Sequence, residues 1–310
     1  MKSRLFVAIY LFTGVLFLIR CASRSLCPEN ADVIKLADGF AFTEGPVADA
    51  KGNVYFTDQP NDRILIWSTD GQVATFMQPC GRSNGLCFDG AGNLIACADE
   101  RNELWSISPD QKVTVFLKDF EGKLLNGPND VWVHPGGGIY FTDPFYKRDY
   151  WDRGQMEQDC QGVYYLSADR SQVIRVADDL IQPNGLVGTP DGKTLYVADI
   201  QGSKTYQYRI QPDGGLTRQT LFCEMGSDGM TLDERGNLYL TGRGVTVFDP
   251  KGQRIAHFEV PERWTANVCF GGPDRKTLFI TASGGIYGVN MHVRGADILT
   301  ETHKNRRNPD

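Results

Sequence analysis

The stretch Gly137-Gly-Ile-Tyr-Phe-Thr-Asp143 decides the fold, because the chain repeats its design. A tight turn feeds a run of β-branched and aromatic residues, the composition of a short strand. Five further segments share it: Gly52-Asn-Val-Tyr-Phe-Thr-Asp58, Gly92-Asn-Leu-Ile-Ala-Cys-Ala-Asp99, Gly192-Lys-Thr-Leu-Tyr-Val-Ala-Asp199, Gly236-Asn-Leu-Tyr-Leu-Thr241 and Arg275-Lys-Thr-Leu-Phe-Ile-Thr281. They recur about every 40 to 55 residues, each with one short strand before it and two after it, as in Ile64-Leu-Ile-Trp67 and Val73-Ala-Thr-Phe76. Four short strands per unit at this period describe the blade of a propeller, and no long 3.6-residue pattern competes with them. The expectation is therefore an all-β, six-bladed β-propeller with four-stranded blades. After Gly285-Ile-Tyr-Gly-Val-Asn290 the sixth blade offers no convincing outermost strand, whereas Val33-Ile-Lys-Leu36 has that character. The N-terminal strand is expected to complete the last blade and cover its edge.

Outside the repeats the chain changes character. Lys2 and Arg4 precede a mostly apolar run over residues 6–19, a signal-peptide pattern too short to span a bilayer comfortably. Residues 1–20 thus read as a signal peptide or anchor, 21–32 as a linker, 33–298 as the propeller and 299–310 as a disordered tail. The expected location is outside the cytoplasm, periplasmic or secreted, with Cys21 as a possible lipid attachment point and the N-terminus as the sole route to membrane anchoring. The formal charge of −6 and the scattered Lys and Arg exclude a nucleic-acid surface. None of the eight cysteines forms a C-x-x-C pair and the four histidines are dispersed, which argues against zinc or iron–sulfur ligation. Cys80 paired with Cys87 or Cys160 is the disulfide an oxidising compartment would allow; Cys87, Cys97 and Cys269 read as thiols buried on strands.

The repeats carry a second register. Eight residues before each turn position stands one polar residue that opens the innermost strand: Glu44, Asn84, Asn129, Asn184, Asp228 and Asn267. Equivalent positions of six radial blades face one axis, so two carboxylates and four amides converge at one mouth of the central channel. A single Asn-Gly before a strand is usually a turn; six in register are a site. Two carboxylates in a narrow channel raise each other's pKa unless a cation compensates. An all-oxygen set suits Ca²⁺, which takes six to eight oxygens, better than Mg²⁺ or a soft metal.

At these residues the chain resembles the SMP-30/gluconolactonase family of calcium-dependent lactonases and, more distantly, the diisopropyl fluorophosphatases. The phrases that carry the resemblance are Phe42-Thr-Glu-Gly-Pro46, Pro128-Asn-Asp130, Tyr140-Phe-Thr-Asp-Pro144, Gln182-Pro-Asn-Gly-Leu186, Ser227-Asp-Gly-Met230 and Cys269-Phe-Gly-Gly272. They run over nearly all of the chain after its leader, and their order and register together are specific. The resemblance implies one Ca²⁺ per chain held by Glu44, Asn129, Asn184 and Asp228. It also exposes a departure. Many relatives carry a substrate-binding arginine two residues before the asparagine of the Asn-Asp pair, where this chain has Gly127, which puts a gluconolactone-type substrate in doubt.

The chemistry expected of such a site is opening of a lactone by water, with the ion polarising the carbonyl and Asp228 as general base. Asp228 could instead be the nucleophile, as suits phosphotriesters, and Glu44 reads as a ligand only. A phosphotriesterase or arylesterase on the same site, and a non-catalytic binding propeller with a structural calcium, are the competing readings. The insert of blade three, residues 144–161, should emerge on the metal face between that blade's second and third strands. Phe145, Tyr146, Tyr150 and Trp151 could roof the pocket, and Lys147, Arg148 and Arg153 could meet an anionic group. Asn84, Asn126, Tyr146, Trp151 and Asn267 form the candidate substrate-binding set, and a small lactone or ester is the expected partner.

Overall fold

The computed structural model describes residues 25–28 and 31–296. The signal-peptide, lipidation and tail expectations, Cys21 included, lie outside those residues. Six four-stranded antiparallel sheets make the six blades, joined by a two-stranded hairpin, Asp119–Phe120 with Lys123–Leu124, ahead of blade three. The innermost strands are Thr43–Ala48, Ser83–Phe88, Val131–Val133, Pro183–Gly188, Met230–Leu232 and Thr265–Gly271. In blade six the order runs inward from Ile34–Asp38 through Gly285–Asn290 and Thr277–Ala282 to Thr265–Gly271, with Ile34 opposite Gly288 and Asp38 opposite Gly285.

The second strand of each blade, the repeat quoted above, is almost wholly enclosed. Ile139–Asp143 and Leu238–Gly242 are buried throughout, whereas the outermost Val113–Leu117 begins with three exposed residues. Burial on both faces means that the core lies between blades. Phe56 and Trp67 of blade one pack on Phe279 and Ile286 of blade six, and Trp132 and Tyr140 of blade three pack on Leu195, Val197 and Tyr208 of blade four. Each interface resembles two stacked sheets, and truncating a fully buried ring such as Phe279 to Ala costs about 3–5 kcal/mol.

All seven described cysteines are free. The expected bridge from Cys80 does not form: Cys80 is buried with Ile64, Leu86 and Leu94, whereas Cys87 packs on a separate cluster with Ile95 and Cys97, and burial pushes the Cys80 thiol up to about 12.

Candidate active site at the mouth of the central channel

Four innermost strands start with an irregular pairing, and in blades three and five the polar residue stands just before the strand, at Asn129 and Asp228. The pairing with the second strand slips between Glu44 and Val47, Ser83 and Leu86, Pro183 and Leu186, and Thr265 and Asn267. Bulges of this kind re-aim side chains. Glycine after the ring residue permits the neighbouring blade to come close. A Cβ on Gly45, which has φ +47, would lie 2.0 Å from the Asn84 carbonyl oxygen, and one on Gly85 would lie 2.5 Å from that of Asn129. The Glu44-Gly45 and Asn84-Gly85 pairs are thus close backbone contacts between blades, not turns.

A threonine near the end of the second strand supplies the buttress in blades one, three and five. Thr57 donates through its hydroxyl to the Asn84 carbonyl at 3.1 Å, Thr142 to that of Asn184 at 2.7 Å, and Thr241 to that of Ala266 at 2.8 Å. Each threonine therefore fixes the next blade's ring strand.

A cavity of about 370 Å³ opens at this mouth, lined by Glu44, Asn84, Asn129 and Asp228 with Phe42, Gln59, Pro60, Tyr146, Arg148, Ile200 and Trp264. Asn184 borders it, donating through Nδ2 to the Tyr146 hydroxyl at 2.8 Å and to Asp228 Oδ1 at 2.9 Å. The other Asp228 oxygen accepts the indole N–H of Trp264 at 2.6 Å. Glu44 accepts the backbone N–H of Gly45 at 2.9 Å. Burial, then the Asp228 charge, holds the Glu44 carboxyl well above the usual range; burial also raises Asp228, against the opposing hydrogen bonds of Trp264 and Asn184.

Below this pair lies a third carboxylate. Asp130 is buried, accepts from Val131 N at 3.0 Å and Leu186 N at 3.3 Å, and is pushed up to about 7 mainly by desolvation. Carboxylates raised by burial and by one another favour a bound cation. The side-chain oxygen of Asn184 is buried with no hydrogen-bond partner, an acceptor left for an ion. Among the described residues no three His, Cys, Asp or Glu side chains are grouped to hold a metal. Two carboxylates plus amide oxygens are a different donor set, and one that fits a hard divalent cation such as Ca²⁺.

The remaining candidates separate. Asn267 is buried, with its side-chain oxygen accepting from Val268 N at 2.8 Å, and it faces a smaller space of about 130 Å³ in the channel with Asp130. Asn126 does not line the mouth: its amide donates to the carbonyls of Asp143 at 3.0 Å and Cys160 at 2.9 Å, which ties down both ends of the insert. Trp151 is likewise off the cavity, its indole N–H on the Asp99 carbonyl at 2.9 Å. Arg153 turns inward to the carbonyls of Leu125, at 2.8 Å, and Asn126. Of the insert, Tyr146 and Arg148 alone line the cavity.

Sequence reading missed Trp264, Asp130 as a third carboxylate, and Gln59. Asp130 was in view within the Asn-Asp pair. Trp264, three residues before Asn267, has no counterpart in the sixfold register that would have revealed it.

Comparison with known proteins agrees with the fold. A gluconolactonase of Zymomonas mobilis is 28% identical over 84% of this chain and 81% of its own. The solved structure of a Xanthomonas campestris gluconolactonase superposes with a TM-score of 0.79 at 30% identity, covering 85% of this chain and 90% of that one. A calcium-binding regucalcin from Agrobacterium tumefaciens shares the fold, with a TM-score of 0.71 at 21% identity over 86% and 95% of the two chains. The model of the SMP-30/gluconolactonase/LRE-like region matches residues 42–284, and the chain belongs to that family.

Proposed function

We propose that this protein is a calcium-dependent lactonase. The observation that carries the reading is Asp228: a carboxylate on the cavity wall, oriented by Trp264 on one oxygen and Asn184 on the other, beside the donors Glu44 and Asn129. The relatives described as gluconolactonases support the reaction class. Glu44, Asn129, Asn184 and Asp228 would hold the ion, which would supply Lewis-acid polarisation of the acyl oxygen.

Asp228 accepts a proton from water as its oxygen bonds to the acyl carbon. The ring C–O bond then breaks, and the departing ring oxygen takes that proton from Asp228, leaving a hydroxy acid. Trp264 and Asn184 restrict the carboxylate to one orientation throughout, which preserves its alignment for both transfers. Burial raises the Tyr146 hydroxyl, so it stays protonated; having accepted from Asn184, it can still donate to a substrate oxygen.

A panel of lactones, aryl esters and phosphotriesters assayed with and without EGTA tests the proposal. Calcium-dependent turnover of lactones is expected to dominate. A preference for phosphotriesters, or full lactonase activity in chelator, overturns it. Export is proposed alongside, from Lys2, Arg4 and the apolar residues 6–19; fractionation finding the full-length chain in the cytoplasm would refute it.

A further inference from the structure

Four repeats end their second strand with an aspartate, and three use it within their own blade. Asp58 accepts the backbone N–H groups of Ala41 at 3.0 Å and Phe42 at 3.2 Å. Asp143 accepts those of Asn126 and Gly127, both at 2.8 Å, and Asp199 those of Ile181 and Gln182, both at 2.9 Å. In each case the carboxylate pins the loop that leads into the innermost strand.

Asp99 departs from this pattern. The corresponding loop of its blade is held by Asp62, which accepts from Cys80 N at 2.9 Å and Arg82 N at 2.7 Å. Released from that duty, the Asp99 carboxylate reaches across to the insert of blade three. One oxygen receives Arg148 Nε at 2.8 Å, the Tyr150 hydroxyl, and Gln59 Nε2 at 3.3 Å. Asp99 is 3% exposed at its side chain, so this is a built anchor and not a chance surface pair.

The anchor leaves Arg148 half used. It is held through Nε and stacks with its guanidinium 5.5 Å from the Tyr146 ring centre, while its two terminal nitrogens have no hydrogen-bond partner among the described residues. It lines the cavity with Glu44, Asn129 and Asp228, and no other lining residue is cationic. Residue 127 cannot supply a rival: a Cβ on Gly127 would stand 2.7 Å from Asp99 Oδ1 and 2.9 Å from Trp151 Cη2. Lys147 is exposed, and Arg153 is committed to backbone carbonyls.

We propose that Arg148 is the specificity-determining residue of this cavity and selects lactones bearing a carboxylate substituent. The inference rests on the lactonase reading. Two parallel N–H donors match a carboxylate in a way that single hydroxyls do not, and charge-assisted bonds of this kind are about twice as strong as neutral ones. Because Asp99 already fixes the guanidinium, little side-chain freedom is lost on binding.

The test compares gluconolactone with glucarolactone, which differ in whether the terminal carbon is a carbinol or a carboxylate, in saturating calcium. Wild type is expected to favour glucarolactone in kcat/KM. Arg148→Gln should lower the glucarolactone-to-gluconolactone ratio by about tenfold or more, chiefly through KM, and Arg148→Lys should retain part of it. Using the ratio cancels any effect of the lost charge on Asp228, which both substrates share. A wild-type preference for gluconolactone, or an equal loss on both lactones, overturns the proposal. Calorimetric titration with glucarate reads the same contact without turnover: binding should weaken about tenfold in Arg148→Gln, and unchanged binding overturns the assignment. If wild type opens neither lactone, the lactonase reading falls and the glucarate titration alone decides the role of Arg148.

Discussion

The ring at the channel mouth and the insert above it solve the same problem, placing polar groups around a substrate, by opposite means. Six separate strands contribute the ring, and those of blades two, four and six are fixed by a threonine of the preceding blade, so Asn84, Asn184 and the strand of Asn267 are tied to a neighbouring blade as well as to their own. One loop contributes the insert, and its fixings are side chains: Arg148 and Tyr150 on Asp99, Arg153 on the Leu125 carbonyl, and Gln158 Nε2 on the carbonyls of Lys123 and Leu124 at 3.0 and 3.1 Å. Groups that must hold position during bond-making belong on the rigid element, whereas groups that choose among substrates can sit on a replaceable one. If that division holds, ring variants will change turnover for every substrate, and insert variants will change the ranking of substrates.

The largest effect should come from Asp228→Asn, which keeps an oxygen and removes the proton acceptor. Turnover should fall by about 10²-fold or more at saturating calcium, with the ion still bound. Glu44→Gln removes equal charge from the ring, so it isolates electrostatics. Equal losses in the two variants, measured by kcat with metal content checked, would make Asp228 a ligand only.

Calcium removal comes next. Binding to the folded state alone contributes about 2.7 kcal/mol at one hundred times Kd. The melting temperature should drop in EGTA and return with calcium, and identical melting curves would show that the ring binds nothing.

Tyr146→Phe joins the two regions, since it deletes the hydroxyl that Asn184 reaches. One hydrogen bond of about 1 kcal/mol predicts a three- to tenfold fall in kcat/KM, unequal across a lactone panel. A uniform fall would place Tyr146 with the ring in function.

The smallest effect is on the pH dependence of the metal-free fold. Asp130 sits at about 7 in the folded chain against an ordinary 3.8, and Glu44 is raised in the same direction. Between those values the folded chain binds more protons than the unfolded one, so stability falls as pH rises through the window. The EGTA-treated protein should therefore melt at a higher temperature at pH 5 than at pH 8, and excess calcium should flatten that slope. A stability that rises with pH in chelator would contradict it.

The same contrast explains what could be read from sequence. Glu44, Asn84, Asn129, Asn184, Asp228 and Asn267 stand eight residues before six turn positions, and a period survives without coordinates. Asn84 and Asn267 showed the limit of the method, because register alone could not separate a residue at the cavity from one deeper in the channel. Trp264 and the Asp99–Arg148 anchor were illegible for another reason. They depend on which side chain leaves its repeat position, a matter of packing across 49 residues of sequence in the case of Arg148 and Asp99. Asn126 and Trp151 were placed near the substrate by their neighbours in sequence, but hydrogen bonds to Asp143, Cys160 and Asp99 draw them beneath the loop.

The pairing of Ile34–Asp38 with Gly285–Asn290 fixes when the molecule can become itself. Among the described residues the first strand must wait for the last, with the other five blades between them. Contacts so distant in sequence form slowly, and until they form the chain has an open ring with a bare sheet edge at each end. During synthesis this protein is therefore an arc, and arcs expose the faces that stack blade on blade. The channel mouth, assembled from all six blades, comes into existence only at closure. A chain that stops before Thr265 therefore has no complete ring, whatever the ring does.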